Sequence, residues 1–292
     1  MSVLPQYCLS IAGITIEIHT DIPHSIDPQF EPFLTETTAP DYRAIFRRVD
    51  QLPALAGQPI YEDKCYRVYP DGKGGYLRAF FDAPRDYTPY CVAIFDPSEC
   101  VINVQYLEKG AHCVSQMHNS FFHLGFESLL LRKGRFCFHA AFVQTHLDGL
   151  LFSGPSGIGK STQANLWVQY RSAEQINGDR PVLAFSENEW HAWGSPYAGS
   201  SHCYVNKHCK IHAIIMLRQA KQCKLRRLSE SNALRAIWAG MTMYSWDKQM
   251  VEDAFDSASA LIKTVPVFEF DCTPDADAVD YLERELQKEW NK

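Results

Sequence analysis

The chain has 292 residues, 46% of them hydrophobic and 21% charged, with a formal net charge of -6 at pH 7. That length can bury a sizeable core and form two domains, and the hydrophobic content excludes wholesale disorder. The acidic balance removes an overall basic footprint for nucleic acid or an anionic membrane, and no apolar run approaches the roughly 18 residues that span a bilayer.

The first residues, MSVLPQYCLS, lack a basic segment followed by an apolar signal core, so a cytoplasmic location is expected. Ten cysteines without C-x-x-C pairs point to reduced, mostly buried thiols. Residues 7–18 (YCLSIAGITIEI) alternate about Gly13 and predict a hairpin. After the loop DIPHSIDPQFEPF, strands are predicted at YRAIFRRV, KCYRVYP, GGYLRAFFDA, YCVAIFD and CVINVQYL, some joined by turns such as Asp71-Gly72. Short strands in succession imply an antiparallel sheet module. Residues 112–131 place Phe122, Phe126, Leu129 and Leu130 at helical spacing and predict one helix. The expected division is a β-rich domain over residues 1–133, with that helix as a bridge, and a second domain over 134–292.

The second domain is predicted to open with strands RFCFHAAFVQTH and GLLFSG. Gly154, Gly159, Lys160 and Ser161 then complete G-x-x-x-x-G-K-[ST], between an apolar strand pattern and a helical one. In a phosphate-binding loop the glycines let backbone N–H groups turn toward phosphates at the positive end of the next helix. The candidate nucleotide set is Gly154, Pro155, Ser156, Gly157, Ile158, Gly159, Lys160, Ser161 and Thr162. Lys160 would neutralise the β- and γ-phosphates and Ser161, rather than Thr162, would ligate Mg²⁺; a glycine turn before a helix is the plain alternative. Further strands are predicted at INGDRPVLAF, EWHAWGS, HCYVNKH, KIHAIIMLRQ, KLRRLS and PVFEFDC, and helices at ESNALRAIWAGMTM, DKQMVEDAFDSASALIKTV and PDADAVDYLERELQKEW. The fold class is α/β, a P-loop domain preceded by a β-rich one.

Asp179 follows the loop helix and can hold Mg²⁺ or accept a proton, although Asn177-Gly178-Asp179 is also a turn signal. His139 alone on an apolar strand reads as structural. Arg180 and Arg218 can counter phosphate charge or form ordinary ion pairs. Residues 194–201 (GSPYAGSS) make a small-residue loop able to bring backbone donors to a phosphate or acceptor, or a simple connection. His202, Cys203, His208, Cys209 and His212 suit zinc by type but not by spacing, and on a strand they face opposite sides. Lys224, Arg226 and Arg227 read as a solvated strand face, or as a contact for an acidic partner.

These residues resemble the HPr kinase family and its relatives, the P-loop kinases related to phosphoenolpyruvate carboxykinase. There a His-bearing strand precedes G-[DP]-S-G-x-G-K-S and a D-D-R-like acidic element follows; the counterparts are His139, GPSGIGKS and NGDR. The likeness covers residues 135–220 and, in pattern, the rest of the second domain, but not the N-terminal domain. With GSPYAGSS following, the chain looks closer to the HPr kinase-like proteins associated with peptide-modification clusters than to the sugar-regulatory enzyme. The resemblance implies a mixed sheet of that type and use of ATP and Mg²⁺. It also implies phosphate and metal contacts from Lys160 and Ser161, metal or base function from Asp179, and help in transfer from His139. Gly178 stands where the family has the first of two acids, which leaves the base open. The expected activity is ATP-dependent transfer to a hydroxyl, as of a Ser or Thr of a protein or peptide. A small-molecule acceptor and a non-catalytic, nucleotide-gated binding module are the alternatives.

Overall fold

In the computed structural model, which describes residues 6–37, 39–72, 75–83 and 87–290, the chain opens on a hairpin. β1 (Gln6–Ile11) and β2 (Ile14–Thr20) are turned by Ala12 and Gly13 at φ 51° and 73°, the two left-handed residues that match strand twist. Residues 1–5, which begin the stretch read as lacking a signal segment, lie outside the described residues. β3 (Leu34–Thr35), β4 (Tyr42–Arg48), β5 (Tyr61–Glu62), β6 (Tyr66–Pro70), β7 (Tyr76–Phe80), β8 (Cys91–Asp96) and β9 (Val101–Tyr106) complete a sheet ordered β3-β1-β2-β4-β9-β8-β7-β6-β5. It is mixed, not antiparallel as expected, because β4 runs parallel to both β2 and β9. β2 and β4 are therefore joined by a crossover and not by a hairpin turn, which is what parallel neighbours require.

The one helix expected over residues 112–131 is three: α1 (Ala111–Val114), α2 (Met117–Leu124) and α3 (Phe126–Leu131). Gly125 makes one of the breaks, at φ 65°, donating its N–H to the Phe122 carbonyl as a left-handed cap. A Cβ there would lie 2.1 Å from an Arg78 guanidinium nitrogen. The chain divides into two compact units between Phe126 and Glu127.

α2 sets His123 against Phe80, ring centroids 4.6 Å apart, with Nε2 2.9 Å from the Tyr90 hydroxyl. Burial, helped by the Arg78 charge, pulls its pKa down to about 3, whereas an imidazole in the unfolded chain titrates near 6.5. Between those values the unfolded state binds the proton and the native state does not, so stability falls as the pH drops. This group is expected to remove about 2 kcal/mol at pH 5 relative to neutrality. Urea midpoints measured across that range check it, and His123→Gln should show a shallower pH dependence.

The second unit runs β10 (Arg135–Cys137), β11 (Ala140–Thr145), β12 (Asp148–Ser153), α4 (Lys160–Arg171), β13 (Glu174–Asn177), β14 (Val182–Ser186) and β15 (Glu189–Trp193). It continues with β16 (His208–Gln219), β17 (Lys224–Arg227), α5 (Glu230–Gly240), α6 (Lys248–Thr264), β18 (Val267–Cys272) and α7 (Ala276–Trp290). The sheet order is β10-β14-β15-β16-β12-β11-β13, with β18 also on β16 and β17 on β18. β16 is parallel to β12 and β18, and the remaining pairs are antiparallel. Alternation sends neighbouring side chains to opposite faces. Phe142, Leu151 and Ile214 pack with Ile237 of α5 and Leu261 of α6, while Val143, Leu150 and Ile215 pack with Trp167 of α4 and Leu286 of α7. The result is a mixed α/β layer structure with helices on both faces.

Three predicted strands are broken or absent in the structure. RFCFHAAFVQTH breaks at Phe138, which makes only a lone bridge to Met241, and at His139, which is in no strand. β10 pairs with β14 whereas β11 pairs with β12 and β13, so the chain must step between distant positions in the sheet. INGDRPVLAF ends one strand at Asn177 and starts another at Val182. HCYVNKH is a loop until His208, with Tyr204 bridged to Asn177. The helix predicted to reach Met243 stops at Gly240, where a Cβ would meet the Phe138 ring at 2.5 Å. All ten cysteines are free, and among the described residues no helix is long and apolar enough to cross a membrane.

Candidate functional site

β12 delivers the chain into Gly154, and α4 takes it up at Lys160. Gly154, Gly157 and Gly159 hold φ 142°, 79° and 112°, conformations that L side chains resist. At Gly157 and Gly159 a Cβ would meet nothing within 4 Å, so an open cradle rather than packing surrounds this backbone. Gly154 is packed instead, with Ile158 3.2 Å from the Cβ position. Lys160 is buried, and its Nζ donates to the Gly154 and Pro155 carbonyls at 3.1 and 3.3 Å. Burial lowers its pKa, and the Asp179 carboxylate works against that shift.

Asp179 follows β13 in a turn held by Asn177. The buried Asn177 Oδ1 accepts from the N–H groups of Asp179 at 3.0 Å and Arg180 at 2.8 Å, while Nδ2 donates to the carbonyls of Ser195 at 2.9 Å and Tyr197 at 3.3 Å. Ser195, equally buried, donates from Oγ to the Arg180 carbonyl at 2.6 Å and accepts from Tyr197 N–H at 3.2 Å. Two side chains thereby fuse the NGDR turn to the GSPYAGSS loop. Sequence reading missed their role; the only signal was the tendency of Asn to bond its own backbone two residues on.

His139 is fixed through its backbone: its N–H donates to the Gly240 carbonyl at 2.8 Å and its carbonyl accepts from Ser153 Oγ at 2.7 Å. The next N–H, of Ala140, donates to the Asp179 carbonyl at 2.9 Å. His139 Nε2 lies 3.4 Å from Asp179 Oδ1, and Arg180 Nε lies 3.5 Å from Oδ2. Burial first, then the Lys160 charge, lowers the His139 pKa against the pull of Asp179, so the imidazole is neutral at pH 7.

These walls enclose a cleft of about 320 Å³ lined by His139, Lys160, Ser161, Thr162 and Asp179, by Ser156, Gly157 and Gly159 of the loop, and by Gly178 and Ser200. Gly154, Pro155 and Ile158 are not among its lining. The oxygens of Ser161, Thr162 and Asp179 are hard donors of the kind Mg²⁺ takes, and the open glycine cradle suits phosphate, so the residues fit both groups. Arg218 stands apart from it, 3.2 Å from Glu269 and 3.6 Å from Asp271, acids that Arg226 also contacts. Among the described residues no group of three or more His, Cys, Asp or Glu gathers as a metal set. His208 instead stacks on Trp193, centroids 3.7 Å apart. A larger cavity of about 540 Å³ lies around Asp148, Lys210, His212 and Arg227, at the other end of β12. There His146 and Lys210 are paired with Glu283 and Glu189.

Gly178 has a steric cause. A Cβ there would fall 1.7 Å from Ser201 Oγ and 2.3 Å from its Cβ, and Ser201 is held by donating to the Ala198 carbonyl at 2.6 Å. Gly178→Asp is therefore expected to cost about 1–3 kcal/mol, the usual price of overpacking. Chemical denaturation measures it, and adding Ser201→Gly should recover most of the loss, as coupled neighbours do.

No protein-family profile matches the chain, and no curated protein does. Among solved structures, the Hpr(Ser) kinase/phosphatase from Coxiella burnetii is similar over 53% of this chain and 99% of its own, at 14% identity and a TM-score of 0.35.

Proposed function

We propose that the chain is an ATP-dependent kinase that transfers the γ-phosphoryl group to a hydroxyl, that of a Ser or Thr in a protein or peptide. One observation carries this reading: a glycine loop of phosphate-binding pattern, its lysine and a His–Asp pair line a single small cleft. The loop N–H groups and the N-terminal end of α4 grip the β- and γ-phosphates, and Lys160 neutralises their charge. Ser161 and Asp179 would hold Mg²⁺, which supplies charge neutralisation to the phosphate oxygens when bound. The Asp179 carboxylate also takes the acceptor proton. Neutral His139 beside Oδ1 and Arg180 beside Oδ2 keep that carboxylate turned toward the cleft. Catalysis is then positioning and charge stabilisation, without a covalent enzyme intermediate in transfer to the acceptor. The β-rich first unit, whose sequence has no phosphate loop, selects the acceptor.

Gly178, in place of an acid, favours a second reading, the nucleotide-gated binding module. Calorimetric titration with Mg-ATP, followed by incubation with labelled ATP and Ser- and Thr-containing peptides, separates the two. Binding with transfer supports the kinase. Binding without transfer to any hydroxyl, including those of the chain itself, supports the module, and absence of binding sinks both.

A further inference from the structure

We infer that Ser200 is a phosphorylation site of this chain, filled in cis from nucleotide bound in its own cleft; this rests on the phosphoryl-transfer reading above. Four hydroxyls line the cleft, those of Ser156, Ser161, Thr162 and Ser200. The first three sit on the loop or the first turn of α4, the side that grips the phosphates. In-line transfer needs an attacking oxygen that is not part of the phosphate grip, and the only lining hydroxyl outside the loop and the first turn of α4, among the described residues, is that of Ser200.

Its surroundings are those of an acceptor. The preceding residue, Gly199, lies directly on the proposed base: a Cβ there would fall 2.9 Å from both Cβ and Cγ of Asp179. Ser200 is exposed, and among the described residues its hydroxyl has no hydrogen-bond partner, whereas the neighbouring Ser201 hydroxyl is committed to Ala198 and Cys203. The segment is also held. Gly199–Ser201 forms a 3-10 turn, Gly199 and His202 adopt φ 55° and 52°, and the Asn177–Ser195 bonds tie the loop to the Asp179 turn. A hydroxyl on a fixed wall avoids much of the ordering entropy that a free acceptor must lose.

In the step itself Ser200 Oγ forms a bond to the γ-phosphorus of ATP. The bond from that phosphorus to the β–γ bridging oxygen breaks, its electron pair leaving with ADP, and the serine proton passes to the Asp179 carboxylate and then to water. The full chain incubated with Mg-ATP and digested for mass spectrometry should carry phosphate on Ser200. The initial rate per chain should not depend on protein concentration. Ser200→Ala should lose at least about 10-fold of the incorporated label while still binding Mg-ATP by calorimetry, and Ser200→Thr should regain it as phosphothreonine. Mg-ATP binding without phosphate on Ser200, phosphate confined to another residue, or a rate per chain that rises with concentration overturns the assignment while leaving the kinase reading standing. Failure to bind Mg-ATP removes both.

Discussion

Lys160→Met is expected to weaken Mg-ATP binding by about 10²-fold or more while leaving the fold intact. The ammonium is a buried charge in the cleft, and a charge-assisted hydrogen bond contributes on the order of 1.5–3 kcal/mol, which corresponds to roughly 10–10²-fold in affinity. In the proposed mechanism Lys160 neutralises two phosphate groups at once, which puts the effect at the upper end or beyond. Stability should move the other way. Lys160 sits where burial depresses its pKa, so the native state bears a desolvation cost that a methionine of similar length does not. Thermal unfolding of Lys160→Met without nucleotide should therefore occur at the wild-type temperature or above it. Calorimetric titration and a melting curve on the same preparation decide the matter. Lost affinity with an unchanged or raised Tm places the lysine on the nucleotide, unchanged affinity removes the phosphate-loop reading, and a collapsed Tm would mean that Met does not fit the site.

What was legible before the fold was local. The strand, glycine loop and helix around Lys160 follow one another in sequence, so their order could be read from apolar periodicity and glycine spacing alone. The break at His139 could not, because Phe136, Phe138, Phe142 and Val143 carry one apolar character straight through it and no Gly or Pro marks the step from β10 to β11. The Asn177–Ser195 clamp joins residues whose meeting depends on how β14 and β15 return the chain, which no spacing encodes. Gly178 looked like the loss of an acid; only the tertiary position of Ser201 shows that a side chain has no room there. In the first unit the strands were readable, but the parallel placement of β4 was not, since a crossover and a turn-back loop can share one composition.

Asp179 and His139 should separate in their effects. Asp179→Asn keeps shape and the backbone bonds to Asn177 but removes the charge, and transfer is expected to fall by about 10²–10⁴-fold, the scale of losing a general base. Mg-ATP affinity should fall less, because Lys160 and the loop N–H groups remain. His139→Gln should lower transfer by a smaller factor, since in the proposed mechanism His139 acts through the position of the Asp179 carboxylate, whose Oδ1 it approaches to 3.4 Å. Its distinctive signature is the pH profile. Burial and the Lys160 charge hold His139 below the ordinary imidazole value of about 6.5, so the neutral form prevails at pH 7 and protonation begins only on acidification. The protonated ring would bind Asp179 Oδ1 as a full ion pair and compete with the acceptor hydroxyl, so the wild-type rate should decline on the acid side of 6.5 and that limb should shrink in His139→Gln. Single-turnover transfer at a series of pH values, for wild type and both variants, measures this. Wild-type rates from Asp179→Asn would reduce Asp179 to a turn residue and leave the base to be sought elsewhere; an unaltered acid limb in His139→Gln would remove His139 from the proton chemistry.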